Sequence, residues 1–279
     1  MDLIATLQCA DQPGIVHAMT TSVLAAGGNI LENQQFTDPV TNSFVMRTRF
    51  ETSSSLEQAR QILASGLSQF TPELKVRDNA APKRALIMVT KESHCLRDLL
   101  YLLELSELPI EIPVVVSNRE DLRELVQAHG IAFKYIPVSE NSKTTAESEL
   151  ERIIEAENID FVVLARYMQI LSAAFCAKYA NKIINIHHSF LPGFKGAKPY
   201  HQAHAKGVKI IGATAHFVTS DLDEGPIIEQ DVAHVTHAST PEQLISIGRD
   251  IERRVLAKAV RLFAEDKIFI VGNRTIVFG

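Results

Sequence analysis

The chain has 279 residues, 46% of them hydrophobic and 22% charged, with a formal net charge of -5. Such a composition is globular and soluble, with room for one large domain or two ordinary ones. The acidic balance argues against nucleic-acid binding, which needs a clustered basic face; Lys195, Lys198, Lys206 and Lys209 are scattered. The start, Met1-Asp2-Leu3, lacks the basic residues of a secretory peptide, and no apolar run approaches the ~20 residues of a membrane span. Cys9, Cys95 and Cys176 are far apart and are expected as reduced thiols. A cytoplasmic protein without a membrane partner is expected.

Residues 3–9 read as a strand, broken by Asp11-Gln12-Pro13-Gly14 before a helix over 15–24. Gly27-Gly28-Asn29-Ile30 ends that helix. Residues 30–36 and 43–50 alternate as two strands around a turn-rich 38–42. A helix starting near Ser55 and running to Phe70, then a strand over 73–77, complete βαββαβ, a ferredoxin-like unit over 1–80. Residues 78–84 are the best linker. Beyond it strands are expected over 85–90, 112–117, 133–138, 161–164 and 183–187, alternating with helices over 96–105, 121–129, 144–157 and 172–179. This alternation implies a doubly wound, mostly parallel sheet, α/β in class, over 84–279. Two later strands (208–218, 226–235), a long amphipathic helix (242–263) and a hairpin (268–277) close the chain.

Ligands of such sheets sit beyond the carboxyl ends of the strands. One strand runs Lys182-Ile183-Ile184-Asn185-Ile186-His187 into the tight loop Ser189-Phe190-Leu191-Pro192-Gly193. Residues two apart on a strand point to one side, so Asn185 and His187 project together. An amide can stabilise a developing oxyanion and an imidazole can move a proton near neutrality. The segment from Ala215 to Ile228 offers the carboxylates Asp221 and Asp223 to such an imidazole. His188 should face away from His187, and His216 should lie just behind the pocket wall. His201-x-x-His204 could join His187 on a metal, but short His patterns are weak evidence and no metal is expected. Cys95 lacks a nucleophile elbow and reads as a buried or pocket-lining thiol.

The Asn-x-His…Leu-Pro-x-x-x-Gly block with a spaced Asp-x-Gly-Pro resembles the signature of the folate-dependent formyl-group enzymes, a family that contains transferases and deformylases. The resemblance covers roughly residue 84 to the end. It implies Asn185, His187 and Asp223 as catalytic residues, Asp223 being the acid seven residues after His216. It implies folate binding by Arg166, Met168, Gln169, Ile170 and Leu171, with His216 and Gly225 beside them. The folate would be the substrate, so no cofactor is expected. The first unit resembles an ACT domain through Asp11-x-Pro13-Gly14-Ile15 and Gly28-Asn29-Ile30. That likeness implies an amino-acid effector such as glycine or methionine at Asp11, Gly14, Asn29 and Ile30. Its exposed sheet edges imply a homo-oligomer.

The acceptor decides between transfer and hydrolysis. A phosphorylated amine such as glycinamide ribonucleotide needs a Gly-rich phosphate cradle. The corresponding stretch, Val89-Thr90-Lys91-Glu92-Ser93-His94, has no glycine and carries an acid. Water remains. Lys91 to Leu96, Gly196 to Ala203 and the first unit are together similar to the formyltetrahydrofolate deformylases. Such enzymes release formate for purine synthesis and balance the one-carbon pool. Formyl transfer to a small amine is the alternative.

Overall fold

The structure, a computed structural model, describes residues 1–139, 142–193 and 199–279. Two compact units are formed, one by residues 1–82 with 265–279 and the other by residues 83–264.

The first unit begins β1 (Asp2–Ala10), α1 (Ile15–Ala25), β2 (Gly28–Asp38), β3 (Ser43–Thr52), α2 (Leu56–Leu67) and β4 (Glu73–Asp78). The sheet is antiparallel in the order β2-β3-β1-β4, the ferredoxin-like arrangement. Local chemistry fixes α2: Ser55 accepts from the Gln58 N–H while Gln58 reaches back, a capping box that satisfies two end donors. Ala59, Leu63 and Leu67 then recur at helical spacing and are fully buried. They meet Leu3, Ala5 and Leu7, alternate residues of β1, in one apolar core.

The second unit runs β5 (Lys83–Val89), α3 (His94–Glu104), β6 (Ile110–Ser117), α4 (Arg123–Ala128), β7 (Ala132–Tyr135), α5 (Lys143–Ala156) and β8 (Phe161–Leu164). It continues with α6 (Ala173–Lys178), β9 (Ile183–His187), α7 (Pro199–Lys206), β10 (Ile210–Phe217), β11 (Ile227–His234) and α8 (Pro241–Ala264). The sheet order is β11-β10-β9-β8-β5-β6-β7. Strands β5 to β9 are parallel, and β10 is antiparallel to both β9 and β11. All four residues of β8 are buried, as parallel strands covered on both faces require.

Two expectations change. Helix α7 was not read from the sequence; it is short and polar, starts at a proline, and is anchored by buried Tyr200 and Ala203 rather than by an apolar stripe. The second domain does not run to residue 279. The closing hairpin, β12 (Ile268–Val271) and β13 (Arg274–Val277), packs with the first unit. Phe269, Val271 and Phe278 cover Val45 of β3, Gln8 Nε2 donates to the Ile270 carbonyl at 3.1 Å, and Arg274 pairs with Asp38 at 2.8 Å. A strand pair at the end of a chain carries no sequence signal for the partner it will cover.

Candidate active site

From β5 the chain winds to β6 and β7 on one side and then crosses to β8 and β9 on the other. The carboxyl ends of β5 and β8 therefore flank a topological switch point. A cavity of about 630 Å³ opens there. Its wall comes from the segments after β5 and β8, from the end of β9, from His216 of β10, from residues 218–223 and from α8.

Asn185 and His187 both line it, two residues apart on β9. Asn185 pairs in register with His216 on the antiparallel neighbour. Its Nδ2 lies 3.2 Å from His216 Nε2. The Phe217 carbonyl, 2.8 Å from His216 Nδ1, holds a proton on that nitrogen. His216 Nε2 takes up one side of the Asn185 amide group, which leaves the second amide hydrogen for a ligand.

Asp223 closes the group. Its Oδ2 is 3.3 Å from His187 Nδ1 and its Oδ1 is 3.6 Å from His216 Nε2. Burial would raise the Asp223 carboxyl, but the hydrogen bonds and charges of His187 and His216 outweigh it and hold the group well below the usual carboxylate range. The loop that aims it is tight. Asp223 is left-handed, with φ 57°. A Cβ on Gly225 would come within 1.8 Å of the Phe217 carbonyl oxygen, so only glycine fits there. His187 Nε2 is buried and has no hydrogen-bond partner among the described residues.

The remaining expected residues divide. Arg166, Met168, Gln169, Ile170, Leu171 and His216 line the cavity; Gly225 does not, and serves the loop. The Met168 N–H is already taken by Thr90 Oγ1 at 3.0 Å. His188 is a correction: β9 ends at His187, the chain turns, and the His188 ring stacks on His187 with centroids 5.2 Å apart instead of facing away. Burial, with Arg166 and His187 nearby, pushes its imidazole down to about 4. The Gly196-Ala197-Lys198 part of the signature, with Phe194 and Lys195, lies outside the described residues. His201 lines the cavity, and among the described residues no metal-ligating group contains it with His187.

In the first unit, Gly14 precedes α1 with φ 99°. The Asp11 N–H donates to the Asn42 carbonyl at 2.9 Å. Asn29 Nδ2 donates to Glu51 at 3.3 Å, and Ile30 packs on the apolar core. Each of Asp11, Asn29 and Ile30 thus has a structural task.

A second polar cluster at the cavity was not visible in the sequence. Glu252 on α8 is 1% exposed and binds His94 Nε2 at 2.8 Å and the Tyr200 hydroxyl at 2.7 Å, with Arg166 Nε at 3.4 Å. Burial would raise the Glu252 carboxyl, but His94, Arg166 and Tyr200 together hold it below its ordinary value. His94, Cys95 and Glu252 bring ligand atoms within 4.8 Å of one another. A cation there would meet the Arg166 guanidinium, and burial beside Glu252 pushes the Cys95 thiol well up, away from the thiolate that a metal needs. Glu92, in the glycine-free segment after β5, lines the cavity and pairs with Arg249 at 3.0 Å.

Residues 83–260 match the Formyl transferase family model. The formyltetrahydrofolate deformylase of Corynebacterium sp. strain P-1 is 44% identical over 277 residues, covering 98% of this chain and 97% of that protein. The crystal structure of formyltetrahydrofolate deformylase from Burkholderia mallei ATCC 23344 superposes with a TM-score of 0.96 at 44% identity, covering 100% of this chain and 99% of that one. The match to glycinamide ribonucleotide transformylase 1 from Symbiobacterium toebii is looser, with a TM-score of 0.68, 30% identity, 73% of this chain and 97% of that one. No helix among the described residues is long and apolar enough to cross a membrane.

Proposed function

This chain belongs to the formyltetrahydrofolate deformylase family, and we propose that it hydrolyses 10-formyltetrahydrofolate to tetrahydrofolate and formate through Asn185, His187 and Asp223. The observation that carries the assignment is the meeting of these three side chains in one cavity, with His187 Nε2 buried and unpartnered among the described residues. Asp223 on Nδ1 orients the ring and leaves the Nε2 lone pair facing the substrate. Nε2 takes a proton from water as the water oxygen bonds to the formyl carbon. The carbonyl π pair moves to oxygen, where the second N–H of Asn185 stabilises it. The C–N bond then breaks with its electrons on nitrogen, which takes the proton from His187; formic acid leaves and ionises. The folate is substrate, and no cofactor or metal enters.

Acceptor-free protein mixed with 10-formyltetrahydrofolate is expected to release formate and tetrahydrofolate one for one. Asn185→Ala should lower that rate by about 10²–10³-fold, the cost of one oxyanion donor. Release that requires an added amine would return the alternative, formyl transfer. Against that alternative stands Glu92, an acid where a phosphorylated acceptor would need its cradle. In a cell this reaction would supply formate for purine synthesis and balance the one-carbon pool in the cytoplasm.

The first unit we read as an ACT-like regulatory domain, supported by its βαββαβ order and the left-handed Gly14 before α1. Its β2 edge would be covered by a second copy in a homo-oligomer. Glycine or methionine is the expected effector; a formate-release rate unmoved by either would remove them.

A further inference from the structure

The Glu252 cluster joins four elements: α8, the start of α3 through His94, α7 through Tyr200, and the segment after β8 through Arg166. A buried carboxylate with a cation is a costly way to hold helices together; apolar side chains would do it as well or better. Yet the fold makes room for it. A Cβ on Gly248 of α8 would lie 2.1 Å from the Tyr200 ring, so a mid-helix glycine is what admits the tyrosine that binds Glu252. Arg166 holds a left-handed backbone, φ 65°, which costs a non-glycine residue on the order of 1 kcal/mol. Such investment at a cavity wall points to function.

The atoms left over define what the cluster takes. Ionised Glu252 accepts from His94 Nε2, which places a proton on that nitrogen, and in the neutral form of the ring Nδ1 is then a bare acceptor. Among the described residues that Nδ1 is buried without a hydrogen-bond partner, and so is Nη1 of Arg166, whose Nε faces Glu252 at 3.4 Å. One acceptor and one donor, both on residues that line the cavity, match a water molecule: it donates to His94, accepts from Arg166 Nη1 and keeps a second lone pair for attack. An anion would be repelled by Glu252, and a protonated amine has no lone pair with which to accept from Arg166.

We propose that His94 and Arg166, braced by Glu252 and Tyr200, hold the attacking water of deformylation and so make water rather than an amine the formyl acceptor. This rests on the deformylase reading above. Held by one O–H to His94 Nδ1, the water offers its other O–H to His187 Nε2, and the proton path already described is unchanged.

The test uses the full chain with 10-formyltetrahydrofolate, with and without methylamine. Formate, tetrahydrofolate and N-methylformamide are quantified for wild type, His94→Ala and Arg166→Gly; the second variant suits the left-handed backbone and reads the same water should the first fail to fold. Expected is a kcat for formate release lowered roughly 10–100-fold, as for one or two lost hydrogen bonds, with KM for the folate little changed. N-methylformamide should rise as a share of product. A wild-type kcat in both variants would overturn the proposal. So would kcat and folate binding falling together with no change in the methylamine share, the mark of a merely structural cluster. Wild-type protein that releases no formate would instead remove the deformylase reading itself.

Discussion

The cavity holds two imidazole–carboxylate pairs, built in opposite ways. His187 and Asp223 stand 3.3 Å apart, on a strand end and a loop, and Asp223 is held by a left-handed backbone. His94 and Glu252 stand 2.8 Å apart, and Glu252 is tied by further contacts to Arg166 and Tyr200. The first pair has few attachments, so its ring nitrogen is free for chemistry. The second is braced from four elements, so it fixes position. Among the described residues each leaves one ring nitrogen unpartnered. The same two residue types thus give an acid–base group or a rigid wall, according to how many elements the carboxylate binds.

The sharpest way to break this contrast is to remove the rings. His187→Ala should lower formate release by about 10²–10⁴-fold, the range for a positioned acid–base group, while leaving the unfolding midpoint near wild type. An equal loss of stability would make His187 another brace.

Glu252→Gln should do the reverse. It keeps the shape but leaves the Arg166 guanidinium, 15% exposed, without its counter-charge. Removing one partner of a buried ion pair costs roughly 3–5 kcal/mol, so urea unfolding should shift by about that much. A shift under about 1 kcal/mol, the level of a surface pair, would show that Glu252 does not carry the wall.

How legible each pair was follows from the same difference. Asn185 and His187 share a strand, and a period of two puts them on one side without any tertiary knowledge. Asp223 sits in a short turn marked by Gly225-Pro226. The alternation of strands and helices gave the parallel sheet, and the switch point then gave the end where ligands bind. His94, Arg166, Tyr200 and Glu252 share no element and no spacing; only the folded sheet brings them together. Glu252 lies on a long amphipathic helix among many charged residues, where an acid reads as surface. The one local hint was Gly248 inside that helix, a position that should cost about 1 kcal/mol relative to alanine unless something packs against it. His188 was misplaced because strand alternation was carried one residue beyond the strand's end.

His188 offers the smallest and most specific test, because it lies under the influence of both pairs. Burial chiefly, then Arg166 and His187, lower its pKa from 6.5 to about 4, while Glu252 and Asp223 oppose them in part. The folded state therefore holds His188 neutral where the unfolded chain would protonate it. With a folded pKa below the unfolded one, the contribution is fully present above pH 6.5 and is lost as pH falls toward 4. The drop from 6.5 to about 4 corresponds to on the order of 3 kcal/mol at most. The facing carboxyls Asp223 and Glu252 are both lowered from ordinary values of 3.8 and 4.5, so their own losses come at more acid pH. Unfolding free energy measured between pH 7 and 4.5 should thus fall in wild type and fall less in His188→Asn, whose amide does not titrate. Equal slopes in the two proteins would mean that the ring is hydrated in solution and that the two pairs do not share a desolvated wall. A flatter slope in the variant would place both carboxylates around one dry imidazole, as the stacking on His187 and the 6.3 Å approach to the Tyr200 ring require.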